Sequence, residues 1–169
     1  MRVTALAERK ARCAAAMLPP SCPIHDAFIL GADTLVCLEE AGSVMAFGKA
    51  ADSTEARSMI ARLAGRSHHV HTGLALYLPG TGAVISASSD SLVGFAAMDE
   101  AEMDFYIGTG DWEGAAGAYK IQGMAALFIE YMEGSWSGIV GLPIRELYGM
   151  LRKANFRPLP FGSGLPFGV

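Results

Sequence analysis

Cysteine is scarce in this chain: Cys13, Cys22 and Cys37 are three in 169 residues, and no two form a Cys-x-x-Cys pair. That spacing excludes a disulfide scaffold and an all-cysteine zinc site. It leaves reduced thiols in a cytoplasmic protein, or one reactive thiol, as the two readings. Long apolar runs are missing as well. No window reaches the ~18 uncharged apolar residues of a membrane span, so no membrane is expected as a partner. The opening stretch, MRVTALAERKARCAAAML, scatters charge through itself and reads as helix rather than signal peptide. An excess of positive charge is absent too. A net charge of -4 argues against a nucleic-acid polymer, but it is compatible with one nucleotide in a locally positive cleft. Both common glycine fingerprints for nucleotides, Gly-x-Gly-x-x-Gly and the P-loop, are also lacking, despite 20 glycines.

What is present is apolar surface. Hydrophobic residues make up 51% and charged residues 18%, enough for a sizeable core and too rich for disorder. A length of 169 residues predicts one domain, with room for two lobes. The domain is expected over 1–156, and the Pro/Gly-rich RPLPFGSGLPFGV reads as an aperiodic tail over 157–169.

Periodicity orders the elements. Val3 to Met17 reads as a helix with Val3, Leu6, Ala7 and Cys13/Ala14 on one face, ended by LPPSCP. Phe28 to Leu38 reads as one extended segment, or as two strands broken at Gly31-Ala32. Asp52 with Glu55 three residues on is a capping signal. Ala56, Met59, Ile60 and Leu63 then repeat at helical spacing, and Gly65 is a plausible stop. Val70, Thr72, Leu74, Leu76 and Leu78 alternate as a strand does, PGTG is a hairpin-type turn, and Ala83 to Phe95 returns as a strand. Asp99 with Glu102 caps a short helix to about Ile107. GTGDWEGAAGAYKIQG predicts a long functional loop. Ala125 to Met132 reads as a strand and Ser137 to Val140 as extended chain. Pro143 opens a last helix with Ile144, Leu147, Tyr148 and Leu151 as its core stripe.

Several residues carry chemistry, each with a plainer alternative. Asp33 interrupts two apolar strand runs, and a carboxylate there costs several kcal/mol unless solvated, paired or metal-bound. The plainer reading is a turn aspartate bonded to its own backbone. Lys49, in FGKA, is a point charge suited to phosphate, or a solvated loop lysine. Arg66, at a helix-to-strand turn, is within reach of a phosphate, or is solvated. His69 and His71 share one strand face beside His68, but the sequence offers no third ligand at sensible spacing, and His25 is remote. Tyr119, Lys120 and Gln122 lie in the glycine-rich loop, where Gln122 can read a base edge or simply face water. One carboxylate, several cations and one amide around a sheet suit a phosphate-bearing substrate.

These same stretches resemble the Maf family of nucleotide pyrophosphatases. The matching pieces are ALAERKA, GADTLV, GKA (Gly-Lys-Pro in the family), GRSHHVHTG, AGAYKIQG and GLPI, in family order from about Val3 to Phe156. AGAYKIQG resembles the branch acting on dTTP and UTP more than the branch acting on 7-methyl-GTP. The resemblance implies an α/β fold, with an elongated mixed β-sheet, flanking helices and two lobes around a cleft. It implies hydrolysis of a nucleoside triphosphate to monophosphate and pyrophosphate with Mg2+ or Mn2+, and a homodimer. Carried over residue by residue, Asp33 is general base and metal ligand, Thr34 and Gln122 set specificity, and Lys10 and Lys49 meet the phosphates; Arg66 is counted with them as substrate-binding on its position at the turn. The family's front strand and its Ser-x-Ser-Pro-Arg-Arg loop do not occur in this sequence. That departure sets up the alternative of a catalytically weak nucleotide-binding or cell-division regulatory protein.

Overall fold

Carboxylates at helix starts fix where two helices begin. Asp52 accepts from the Glu55 backbone N–H at 2.8 Å, and Glu55 reaches back to the Ala51 N–H at 2.7 Å. Asp99 and Glu102 form the reciprocal capping box expected of them. The computed structural model describes residues 3–19 and 27–156. The 157–169 tail, Cys22 and His25 lie outside the described residues. In chain order the elements are α1 (Val3–Met17), β1 (Ile29–Glu40), β2 (Ser43–Phe47), α2 (Ser53–Leu63), β3 (Ser67–Leu78), β4 (Ala83–Phe95) and α3 (Glu100–Gly108). A 3-10 turn (Met124–Phe128), β5 (Ile129–Glu133), α4 (Trp136–Val140) and α5 (Ile144–Lys153) follow.

The strands form one sheet in the order β2-β1-β3-β4-β5. Every pairing between described strands is antiparallel, where a mixed sheet was expected. β1 is a single strand that runs through Gly31 without a break. β2 pairs only with Val36 to Glu40, so the outer edge of β1 from Ile29 to Leu35 has no strand partner among the described residues.

Directly paired residues share a face, so the register assigns each side chain to a layer. Gly31 and Gly73 point toward α1. A Cβ on Gly31 would lie 2.1 Å from the Ala7 carbonyl oxygen, and one on Gly73 would lie 2.5 Å from the Thr4 nitrogen. Helix backbone therefore rests almost directly on strand backbone, with Ala7 and Ala11 fully buried between them. Cys13, assigned to this inner face by periodicity, is instead exposed.

The opposite face carries two apolar cores. The larger gathers Val36, Leu38, Val70 and Val93 beneath Ile60 and Leu63 of α2 and Tyr106 of α3. The smaller joins Leu74 and Leu76 to Met150 of α5. Between them runs a polar belt of Thr34, Thr72 and Ser89, adjacent in register across three strands. α4 spans the belt, where Thr72 Oγ1 donates to the Gly138 carbonyl at 2.8 Å.

Three readings of the C-terminal third are corrected. Met124–Phe128 is 3-10 helix rather than strand, with Ala125 and Phe128 buried at the three-residue period of that helix. Trp136–Val140 is helical because Ser135 caps it, accepting from the Gly138 N–H at 3.0 Å. Ile144 is 61% exposed, and Met150 takes the central core place on α5. No helix among the described residues is long and apolar enough to cross a membrane.

The layering predicts opposite outcomes for two glycine-to-alanine changes. Gly31→Ala drives a methyl into helix backbone and should cost ~1–3 kcal/mol or more by overpacking. Gly149→Ala, within α5, meets nothing within 4 Å and should gain up to ~1 kcal/mol of helix propensity. Urea-unfolding midpoints of the two variants against the parent chain check both signs.

Candidate active site

The polar belt ends at the unpaired edge of β1 in a cavity of about 300 Å³. Asp33 and Thr34 supply its sheet wall. Lys49 enters from the connection after β2, Lys120 and Gln122 from the glycine-rich loop, and Gly141 from the turn after α4. Lys10 reaches across from α1, because the close glycine contact brings the helix down onto β1. Its Nζ donates to Asp33 Oδ1 at 2.5 Å and to the Ala32 carbonyl at 3.1 Å, on the free strand edge. The Lys10 side chain is 57% exposed, so this ion pair is worth at most ~1 kcal/mol and yields to a better anion.

Three lysines therefore face one carboxylate, and Asp33 is the sole acid lining the cavity among the described residues. That balance favours an anionic ligand, and lysine ammonium groups suit phosphate oxygens. Only Oδ1 of Asp33 has a hydrogen-bonding partner among the described residues, which leaves Oδ2 to act as base or ligand. Mg2+ is commonly held by one or two carboxylates plus substrate phosphates. A single aspartate fits such an ion only if the substrate brings the remaining oxygens.

The loop between α3 and the 3-10 turn is held in an unusual backbone path. Gly117 (φ +68°) and Ala118 (φ +59°) are both left-handed. A Cβ on Gly117 would press to 2.8 Å from Val36 Cγ2, so glycine lets the loop lie on β1. The Gly117 N–H donates to the Gly48 carbonyl at 2.9 Å, and Lys49 bridges to Ala116, tying the loop to the lysine's own segment. Ala118 is fully buried, and its carbonyl accepts from the Tyr106 hydroxyl at 3.0 Å. Strain of this kind persists only where neighbours over-determine it, and it clusters at functional sites.

Behind the cavity, buried His68 faces Tyr119, with Nε2 2.8 Å from the phenol oxygen. Nδ1 is buried without a partner. The ring and the phenol share one hydrogen bond whose direction follows the histidine tautomer. Burial, and then the neighbouring His69, push the His68 pKa down from 6.5 to about 4. Burial and neighbouring Tyr106 likewise raise that of Tyr119.

Of the residues singled out by sequence, the cavity gathers Lys10, Asp33, Thr34, Lys49 and Gln122. Arg66 is elsewhere. It donates to Glu40 Oε1 at 2.7 Å, and Arg62 pairs with the same carboxylate. The Arg66 hydrogen bond and then that of Arg62 hold Glu40 below the usual carboxylate range. Glu40 is seven residues along β1 from Asp33, roughly 23 Å of strand. Lys120 had no role assigned from sequence beyond its loop; it lines the cavity and lies 3.6 Å from Asp111. The Tyr106–Ala118 support left no sequence signal, because alanine does not announce a left-handed backbone.

A family model described as Maf-like protein matches residues 1–154. The chain is similar to the dTTP/UTP pyrophosphatase of Treponema denticola, at 44% identity over 134 residues, 78% of this chain and 66% of that protein. It is similar to the dTTP/UTP pyrophosphatase of Pelotomaculum thermopropionicum, at 41% identity over 157 residues, 93% of this chain and 77% of that protein. A dTTP/UTP pyrophosphatase of Agrobacterium fabrum is 37% identical over 151 residues, covering 89% of this chain and 70% of that one. The chain thus spans about two-thirds to three-quarters of the length of these relatives.

His68 generates a pH prediction. Its folded pKa lies below the unfolded value, so the neutral ring's contribution is complete above pH 6.5 and is lost as pH falls through 6.5 toward 4. The loss should approach about 3 kcal/mol. Urea unfolding across that window should show a shallower pH dependence in His68→Gln than in the parent chain.

Proposed function

Because the chain belongs to the Maf-like protein family, we propose that it hydrolyses dTTP and UTP to the monophosphate and pyrophosphate. The observation that carries this reading is a single carboxylate, Asp33, in a cavity with Lys10, Lys49 and Lys120. The names of the relatives supply the substrate class.

In this reading Asp33 takes a proton from a water aimed at the α-phosphorus. The water oxygen bonds to phosphorus as the bond to the bridging oxygen breaks, and pyrophosphate leaves. Lys10, Lys49 and Lys120 neutralise phosphate charge, held before reaction where that charge moves. Thr34 and Gln122 contact the base; Gln122 offers both a donor and an acceptor to a pyrimidine edge. The Asp33 carboxylate and substrate oxygens would hold Mg2+ or Mn2+, which would lower the pKa of the water and share the phosphate charge. Arg66, engaged with Glu40, acts on phosphate in this scheme only if that pair opens.

A cytoplasmic setting agrees with the free thiols Cys13 and Cys37. A homodimer agrees with the outer edge of β1 from Ile29 to Leu35, which has no strand partner among the described residues, since an open strand edge is a template for pairing.

Pyrophosphate release from dTTP and UTP with Mn2+ tests the scheme. Asp33→Asn should lower the rate ~10²–10⁴-fold, the usual contribution of a positioned base. Binding of dTTP, measured by calorimetry, should survive in that variant. Lys49→Met should weaken binding ~10–100-fold, the worth of one charge-assisted hydrogen bond. Equal turnover in Asp33→Asn and the parent chain rejects Asp33 as base. Tight binding by the parent chain with no turnover favours a nucleotide-binding regulator instead.

A further inference from the structure

The α1 face of the sheet, which also bears Asp33 at its β1 edge, carries a second cluster. His69 and His71 project from β3 on the α1 side, past the N-terminal end of that helix, which sits over Gly73. Taken alone the sequence gives this pair no third ligand. The fold supplies one, because Asp90 of β4 lies directly opposite His71 in register. Asp90 Oδ1 is 3.0 Å from His69 Nδ1 and 3.3 Å from His71 Nδ1. The two imidazoles are stacked, with centroids 5.7 Å apart and planes within 7°. The candidate donor atoms of all three residues lie within 4.8 Å of one another.

From this geometry we propose that His69, His71 and Asp90 form a binding site for a transition-metal ion of the Zn2+ class. Four-coordinate zinc holds nitrogen and oxygen ligands at ~2.0–2.2 Å, which sets neighbouring ligand atoms ~3.3–3.5 Å apart. The two nitrogen-to-oxygen separations lie at or just below that tetrahedral edge, so small rotations of the side chains admit an ion. Two imidazoles and one carboxylate match Zn2+, Co2+ or Ni2+ better than Mg2+, which prefers an all-oxygen shell. Three protein ligands leave the fourth position to water. The backbone is already rigid: β3 is paired on both sides, and β4 is the partner that brings Asp90. No ligand has to be gathered from a loop. An isolated histidine–carboxylate hydrogen bond needs one imidazole, whereas here a second, parallel ring also has its Nδ1 3.3 Å from the same oxygen.

The site is separate from the cavity, and its existence does not depend on the function proposed above. It is coupled to the cavity by position alone. His71 precedes Thr72, and Asp90 follows Ser89, so an ion here would pin β3 to β4 on the reverse side of the polar belt.

Titration with Co2+ and Zn2+ tests the site on the chain as it stands. Expected are one Co2+ per chain with the visible absorption of a four-coordinate ion, its displacement by Zn2+, and a higher melting temperature with Zn2+. His69→Ala/His71→Ala should weaken binding at least ~100-fold, since even partners outside the ligand shell are worth 10–100-fold. Asp90→Asn should weaken it in the same direction, and Asp33→Asn should leave it unchanged. These ligands are partly exposed, so the variants should retain the parental circular dichroism and urea midpoint without metal. Absence of stoichiometric binding in the parent chain overturns the site. So does binding that persists in the double histidine variant or disappears in Asp33→Asn.

Discussion

The contact on which the site depends is backbone against backbone, α1 on β1 and β3 at Gly31 and Gly73. It offers little apolar area, because the buried residues of α1 are alanines. It fixes distance instead. With side chains at both glycines the helix would ride several ångströms higher, and Lys10 would no longer span from α1 to the carboxylate of Asp33. A contact between small residues thus decides how a long side chain is used. The helix also closes one side of a cavity that the sheet edge alone would leave open.

The second constraint is the division of the opposite face into two cores. A continuous core would bury more apolar surface, but the belt of Thr34, Thr72 and Ser89 interrupts it. The two threonine hydroxyls are satisfied by each other and by α4: Thr34 and Thr72 lie 2.9 Å apart, and Thr72 donates to Gly138. Satisfied polar groups between apolar blocks are tolerated, whereas an unpaired one costs ~1–3 kcal/mol. Through Thr34, which Thr72 holds in place, the belt gives the cavity a polar wall. On one flank, the loop from 108 to 123 is clamped by Tyr106, Gly48 and the buried His68–Tyr119 pair. Lys120, which would wander on a free loop, is thus held at the cavity that Asp33 also lines.

Most of this frame was legible in sequence where one local signal governs. Asp52–Glu55 and Asp99–Glu102 state their helices through capping, and the alternation from Val70 to Leu78 states its strand. Asp33 and Lys49 stood out as charges in apolar surroundings. What failed was governed by contacts distant in sequence. Met124–Phe128 is apolar enough for a strand, and it becomes 3-10 because Ala125 and Phe128 must both enter the core. Ser135 caps α4 in a stretch whose composition suggests extended chain. Arg66 looked available for phosphate because nothing local shows Glu40 arriving from 26 residues away. Ala118 sits at a backbone angle that its residue type argues against, and only the folded loop explains it.

Alternation along a strand has a further consequence for this sheet. Successive residues of β3 serve opposite faces, so His71 and Thr72 belong to different environments while sharing one peptide unit. The same holds for Ser89 and Asp90 on β4, whereas Asp33 and Thr34, also on opposite faces of β1, both reach the cavity because it lies at the strand edge. A displacement of β3 by one residue would exchange the belt hydroxyl for an imidazole and bury charge where the cores meet. Register is therefore specified from both sides: Leu74 and Val70 must stay within the apolar layers, and Gly73 must stay beneath α1. The hydroxyl belt and the histidine cluster inherit their geometry from that one register, which is why His69, His71 and Asp90 can meet on the face opposite Thr72 and Ser89.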